Sequence, residues 1–349
     1  MAIKLLIVEN EEPQIKLMRD AIEIYNKRGG VPIELDEATS LDQGLEKLRR
    51  NAYDGAVVDL RLEQNDTTGL GNQILKEIKS KLRFPVRVIS GHLGDLDPEL
   101  QAQNYLFKCE NRGDADYDVI LSQFSEIYST GITGILNNKG LIETNISNIF
   151  WKHISEVLPE FVGYKAAHSE WDGERVLLRY ISSHILEYLE ISIDNNLEPV
   201  HNIEFYIKPP IKEKIFTGDI IKFKGSDNFG IILTPACDLA TDVHRIRPKA
   251  KLVTVACIYS FNDVTNGRKP EHIDELKKNN LDLKYHFLPE TILFGGGFIN
   301  FQHIESIPIR ELNDKEKFEV ACVVTNPFRK DIISRFANYF SRQGQPSFS

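Results

Sequence analysis

Apolar and polar positions change their spacing twice along the chain. Up to about residue 128, short apolar runs alternate with stretches whose apolar residues recur every three or four positions. Residues 4–8, 33–38, 55–58, 85–90 and 105–108 read as strands, and residues 14–27, 40–50, 70–82 and 117–128 as helices. Ile15, Met18, Ala21 and Ile22 share one face of the first helix, and Gly29-Gly30 stops it. Ser40 offers a side-chain cap to the second, with Leu41, Leu45 and Leu48 along one side. A short polar helix is expected near residues 98–104. Strands alternating with helices predict a doubly wound, five-stranded parallel sheet.

Residues 131–140, rich in Gly and Asn, form a joint. Two helices follow, over 144–158 with Thr144 or Asn145 as cap and over 173–191, and read as a connector. From Asn202 the period becomes two. Residues 203–207, 218–223, 230–234, 252–256, 285–287 and 318–324 are strand candidates, and Asn326 precedes a closing helix over 327–339. The expected domains are therefore 1–135, a helical connector 136–195, and a mostly β, barrel-like domain 196–349.

Composition narrows the class. No apolar run approaches the ~18 residues of a membrane-spanning helix. The apolar start is followed by Glu9, Glu11 and Glu12 with no cleavage site, so it reads as a strand and not as a signal peptide. Cys109, Cys237, Cys257 and Cys322 are scattered without CxxC spacing, which points to reduced thiols in the cytoplasm and no zinc site from cysteine pairs. Residues 1–138 hold 16 Lys and Arg against 23 Asp and Glu, and the remainder is close to balanced. Neither half has the basic footprint of a nucleic-acid module.

Candidate chemistry centres on Asp59. The run Gly55-Ala-Val-Val58 is a buried parallel strand that delivers one carboxylate to its C-terminal end, where open α/β sheets bind ligands. An isolated acid there would more often cap a loop or helix. Four other strand-end positions supply matching chemistry.

Those positions carry a family resemblance over the first 135 residues. Leu-Leu-Ile-Val-Glu9-Asn10-Glu-Glu-Pro, Val58-Asp59-Leu-Arg61-Leu, Val88-Ile-Ser90 and Tyr105-Leu-Phe-Lys108 resemble, in order, the motifs of the receiver domain of two-component response regulators, a flavodoxin-like fold. The resemblance implies that Asp59 accepts a phosphoryl group from a sensor histidine kinase or phosphotransfer protein. It implies Mg²⁺ held by Glu9, Asn10, Asp59 and the Arg61 carbonyl, in keeping with that ion's preference for hard oxygen ligands. Lys108 would contact a phosphate oxygen, Ser90 would hydrogen-bond it, and Tyr105 would swing inward as a switch. Three departures stand out: Asn10 replaces an acid, Cys109 replaces the usual proline after the lysine, and the Ser90–Lys108 interval is short. The last implies an abbreviated fourth helix.

In the second half, Cys237-Asp238 follows a buried strand, and His244, His286 and His303 could in principle pair with the thiol; a small buried hydrophobe is the favoured reading of Cys237. Gly295-Gly-Gly297 lacks the Lys-Ser/Thr of a phosphate loop and reads as a tight turn. Residues 217–235 resemble the opening strands of small SH3-like barrel toxins that cut RNA. The expectation is a cytoplasmic, Mg²⁺-dependent phosphorelay protein whose catalysis extends at most to self-phosphorylation and autodephosphorylation at Asp59, with a homodimer as candidate assembly. The alternatives are a phosphate sink or adaptor competing for kinase phosphoryl groups, a receiver-controlled effector such as a nuclease, and a degenerate receiver serving as a scaffold.

Overall fold

The computed structural model describes residues 2–63, 69–168, 172–190, 196–241 and 247–342. The chain divides into two compact units, Met1–Glu198 and Pro199–Ser349.

The first unit begins with β1 (Ile3–Val8), α1 (Glu12–Lys27), β2 (Ile33–Ala38), α2 (Leu41–Arg50), β3 (Gly55–Val58), α3 (Gly71–Lys81), β4 (Val86–Ser90), β5 (Phe107–Asn111) and α4 (Tyr117–Ser129). The strands are all parallel, in the order β2-β1-β3-β4-β5, which is the expected doubly wound sheet. Burial explains the order: every residue of β3 and β4 is buried and these strands lie inside, whereas β2 carries Glu34, Asp36 and Glu37, is only partly covered and forms an edge. Leu6, Val8, Ala56, Val58 and Leu75 close one face; Ile7, Met18, Val57, Leu121 and Phe124 close the other. Ser40 caps α2 as expected, its hydroxyl accepting from the Gln43 amide. The fourth helix is more than abbreviated: between β4 and β5 only two single 3₁₀ turns form, at Leu93–Asp95 and Pro98–Leu100.

The strand expected at residues 105–108 lies further along. Tyr105 and Leu106 sit in a turn, exposed, and β5 runs Phe107–Asn111. The apolar pair Leu106-Phe107 drew the sequence reading toward the turn. In the fold Phe107 is buried against the core, and the strand continues through polar residues because β5 is an edge.

The unit continues with α5 (Ile132–Leu136), α6 (Leu141–Ile149), a π-helical turn at Phe150–Ile154, α7 (Ser155–Ala167) and α8 (Gly173–Glu190). Helix α6 starts at Gly140, not Thr144, whose hydroxyl instead donates back to the Gly140 carbonyl. None of the described helices is long and apolar enough to cross a membrane.

The second unit is a curled antiparallel sheet in the order β10-β11-β9-β8-β7-β12-β6. Its strands are β6 (Tyr206–Ile207), β7 (Asp219–Phe223), β8 (Phe229–Ile232), β9 (Leu252–Tyr259), β10 (Tyr285–Leu288), β11 (Gly297–Pro308) and β12 (Phe318–Val324). Its two edges meet through side chains: the Tyr206 hydroxyl donates to the Pro289 carbonyl at 3.0 Å, and Lys208 Nζ to Leu293 O at 3.2 Å. The closing helix, Phe328–Ser341, packs Ile332 and Phe336 onto one sheet face. Sequence reading missed β11, the longest strand of the sheet. Gly295 and Gly296 lead into it and Gly297 is its first residue, with Gly296 and Gly297 at positive φ.

Candidate functional site

Parallel register sets which side chains meet at the C-terminal edge of the first sheet. Val8 pairs with Val58 and Val58 with Val88, while Ser90 pairs with Asn111. The residues just past these strands are Glu9, Asp59 and Arg112, and they converge. Glu9 and Asp59 are 4% and 3% exposed, a rarity for acids that lack partners. Arg112 reaches between them, with Nη2 at 2.9 Å from Glu9 Oε2 and 3.1 Å from Asp59 Oδ2. Its Nη1 donates to Glu11 Oε1 at 2.8 Å. Glu9 Oε1 accepts from the Glu11 amide at 2.9 Å, and the Arg112 amide donates to the Ser90 carbonyl at 3.1 Å. Ser90 is fully buried, and its hydroxyl accepts from the His92 amide.

Lys108 does not join this cluster. It pairs with Arg87, three residues before the strand end at Ser90–Asn111, and its Nζ donates to Gln123 Oε1 on α4 at 3.3 Å. The cation beside Asp59 is Arg112. Tyr105 also stands apart: it is 58% exposed, with its hydroxyl donating to Glu126. The half-buried residue three positions before Arg112 is Cys109, which packs against the core. The signal for Arg112 was present in the sequence as a lone cation directly after an alternating stretch. An aromatic-x-x-Lys match ending four residues earlier masked it.

Burial dominates the electrostatics. It raises the Asp59 carboxyl above the usual range, against the Ser90 hydroxyl and Arg112, which pull it down. It pushes Glu9 up to about 7, opposed by the Glu11 amide and reinforced by Asp59. Among the described residues one guanidinium thus stands against three carboxylates, and Asp59 Oδ1 is buried with no hydrogen-bond partner.

The Asn10 side chain bears on whether a metal fits. One terminal atom of its amide stands 3.1 Å from the Arg61 carbonyl oxygen and 3.2 Å from Glu9 Oε1. With nitrogen at that place the amide donates to both. With oxygen there, three oxygens converge with no donor between them, and Asp59, the other acid bridged with Glu9 by Arg112, keeps Oδ1 unpartnered among the described residues. That is a donor set for a hard divalent cation, so Glu9, Asn10, Asp59 and Arg61 fit Mg²⁺.

Asn72, which sequence reading passed over, and the side chain of Arg61 hold the loops around Asp59. Asn72, buried, donates to the Gly69 and Asp95 carbonyls and accepts from the Asp97 amide, fastening the start of α3 to the β4–β5 connection. Arg61 Nε donates to Asp95 Oδ2 at 2.7 Å across the same gap. Gly71 is forced by space, since a Cβ there would lie 2.1 Å from the Asp59 carbonyl oxygen.

In the second unit, Cys237 Sγ faces Asp238 Oδ1 at 3.7 Å. His286 is buried with Nδ1 toward Asp331, His303 lies beside Cys257, and His244 falls outside the described residues.

No family model matches the chain, and no curated protein matches it. Among solved structures it is similar to a response regulator receiver domain from Methylobacillus flagellatus, with 19% identity over 36% of this chain and 99% of that one, and a TM-score of 0.28. It is similar to a receiver domain protein from Methanospirillum hungatei, with 14% identity over 38% of this chain and 100% of the other, at 0.28. It is also similar to the receiver domain of a sensor histidine kinase from Pseudomonas aeruginosa, solved with a magnesium ion in its active-site cleft. There the identity is 14% over 37% of this chain and 99% of the other, at a TM-score of 0.29. The matched portion is N-terminal and carries the five-stranded parallel sheet.

Proposed function

We propose that the first unit is a phosphoryl acceptor of the response-regulator type, phosphorylated on Asp59 by a sensor histidine kinase or phosphotransfer protein. The observation that supports it most is Asp59 Oδ1, a buried carboxylate oxygen without a partner among the described residues, at the tip of a central strand. Arg112 occupies Oδ2, which leaves Oδ1 as the attacking atom. Oδ1 forms the new O–P bond while the P–N bond of the donor phosphohistidine breaks and the imidazole leaves. Arg112, 22% exposed, lifts from the two acids and presents its planar fork to the phosphoryl oxygens. Ser90 donates its hydroxyl to one of them. Mg²⁺ on Glu9, Asn10, Asp59 and the Arg61 carbonyl would neutralise the charge that gathers on those oxygens.

The test is incubation with Mg²⁺ and a small acyl-phosphate donor, read by intact mass. The expected result is a gain of one phosphate that disappears in Asp59→Asn. No gain supports a second reading, which one observation favours: Arg112 already bridges Glu9 and Asp59, so the unit is a scaffold held in one state by its own cation.

The connector supports a homodimer. Leu141, Trp151, Val162, Leu178, Leu186 and Leu189 on α6–α8 are 60% exposed or more. At on the order of 100 Å² each, the apolar side chains of this hairpin expose an area comparable to the ~800 Å² that one partner buries in a stable interface. A second copy would complete a four-helix bundle, which a two-helix hairpin cannot form alone. Light scattering should give a dimer mass for the wild type and a monomer mass for Trp151→Asp/Leu178→Asp. A wild-type monomer at tens of micromolar would refute the assembly.

A further inference from the structure

The chemistry-bearing residues of the second unit gather where its sheet is irregular. Strands β9 and β11 pair as Ile258↔Ile299 and then as Ala256↔Ile304, so residues 300–303 stand opposite the single residue Cys257. Bulges of this kind re-aim side chains and recur beside functional sites. Here the slip brings His303 and Glu305 of β11 next to Cys257 of β9. Cys257 Sγ lies 3.6 Å from Glu305 Oε1, His303 Nε2 lies 4.0 Å from the same oxygen, and one ligand atom from each residue falls within 4.8 Å of the other two.

We propose that Cys257, His303 and Glu305 bind a divalent transition-metal ion of the zinc type. Bonds of ~2.0–2.3 Å in a tetrahedral shell place ligand atoms roughly 3.3–3.6 Å apart. The Cys–Glu pair already meets that spacing, and His303, an exposed side chain on the bulge, needs only a small adjustment. One thiolate, one imidazole and one carboxylate are a borderline-soft set suited to zinc and poorly suited to Mg²⁺ or Ca²⁺. The second ring nitrogen is held as well: Tyr259 Oη lies 3.0 Å from His303 Nδ1, which fixes the ring and leaves Nε2 for the metal.

Three protein ligands leave the fourth position of a tetrahedral ion open. All three residues line a cavity of about 650 Å³, rimmed by Asn228, Ser260, Asp263 and Tyr285. That size falls within the range of small-molecule pockets. The open position therefore takes water or a polar ligand from the cavity, the arrangement of a catalytic rather than a structural ion. On binding, the S–H bond of Cys257 breaks, the sulfur bonds the metal and the proton leaves to solvent.

Cobalt(II) titration of the full chain tests the site, because cobalt bound to thiolate gives a near-ultraviolet charge-transfer band. The expected result is one equivalent bound, displaced by zinc, with the band absent in Cys257→Ser and present in Cys237→Ser. His303→Ala changes an exposed residue and keeps the fold, checked by thermal melting; its affinity should fall at least about tenfold. Tyr259→Phe should weaken binding by about 10- to 100-fold while preserving the band. A band that is absent in the wild type, or that survives in Cys257→Ser, overturns the proposal. So does unchanged affinity in His303→Ala.

Discussion

Replacing Arg112 by Gln removes the one cation among the described residues that touches Glu9 and Asp59 and leaves both carboxylates in place. Their side chains are 6% and 3% exposed, whereas Glu11 is 51% exposed and adds little. Breaking a buried ion pair by removing one partner costs about 3–5 kcal/mol; Arg112 itself reaches solvent, so the lower end, about 3 kcal/mol, applies. For a unit of this size each kcal/mol shifts the melting temperature by roughly 2–4 °C, which predicts a loss of about 6–12 °C. Trp151 lies in the first unit and the sequence has no tryptophan from Pro199 onward, so urea unfolding followed by tryptophan fluorescence does not read the second unit. The pH must be chosen with Glu9 in mind. Its folded pKa, about 7, lies above the usual carboxylate value, so its stabilising contribution is complete below that usual value and is lost as pH rises through 7. The variant should therefore differ most from wild type at pH 8 and least at pH 5. The Glu9→Gln/Arg112→Gln double variant removes one of the stranded charges and should recover more than half of the loss. If Arg112→Gln stays within about 0.5 kcal/mol of wild type at pH 8, or if the two substitutions are additive, Arg112 does not balance these acids.

Lys108→Ala should leave phosphate gain by intact mass unchanged, because its Nζ serves Gln123 and not Asp59; a loss equal to that of Asp59→Asn would return the lysine to the site. Gly71→Ala places a methyl 2.1 Å from the Asp59 carbonyl oxygen. It should cost about 1–3 kcal/mol and slow phosphate uptake, measured by urea unfolding and by mass. His286 is held down to about 3, chiefly by burial and further by Arg335. Its stabilising contribution is therefore present above its ordinary pKa and lost as pH falls toward 3, by up to about 4 kcal/mol. Protection of the β10 and β11 amides, taken relative to the intrinsic exchange rate at each pH, should fall over that window in wild type and not in His286→Phe.

The sequence made the first sheet readable because each of its elements answers to a local rule. Gly55 to Val58 is uncharged and apolar throughout and Val88-Ile89 continues the pattern in β4, as strands buried on both faces tend to be, and Ser40 announces a helix start. The second unit was less legible for a physical reason. Strand β11 breaks its pattern in the middle, where the polar Gln302, His303 and Glu305 surround a half-buried Ile304 at a bulge, so neither a regular alternation nor a continuous apolar run marks the whole strand. The Cys257 site depends on that bulge. A pairing slip between β9 and β11 is a property of two strands together, and no spacing within either one encodes it.

The misplaced lysine shows what limits a motif reading of the first site. Whether a side chain reaches Asp59 depends on how far along β5 the chain has travelled when it passes Ser90. Parallel pairing fixes that distance as Val88↔Cys109 and Ser90↔Asn111. A strand residue rises roughly 3.3 Å, so the four steps from position 108 to 112 separate their backbones by about 13 Å, beyond what a swing of the lysine stem recovers. Lys108 and Glu110 fall on the same face by alternation, facing α4, while Arg112 leaves the end of the strand free to turn over the acids. Arg112→Lys separates charge from geometry. A point charge should keep part of the stability and lose the two-armed bridge from Nη1 to Glu11 and from Nη2 to Glu9 and Asp59. If the planar fork is what the site uses, Arg112→Lys will retain more than half of the unfolding free energy that Arg112→Gln loses, while phosphate uptake falls about as far as in Arg112→Gln. Uptake that tracks stability across both variants would instead assign Arg112 a purely structural part.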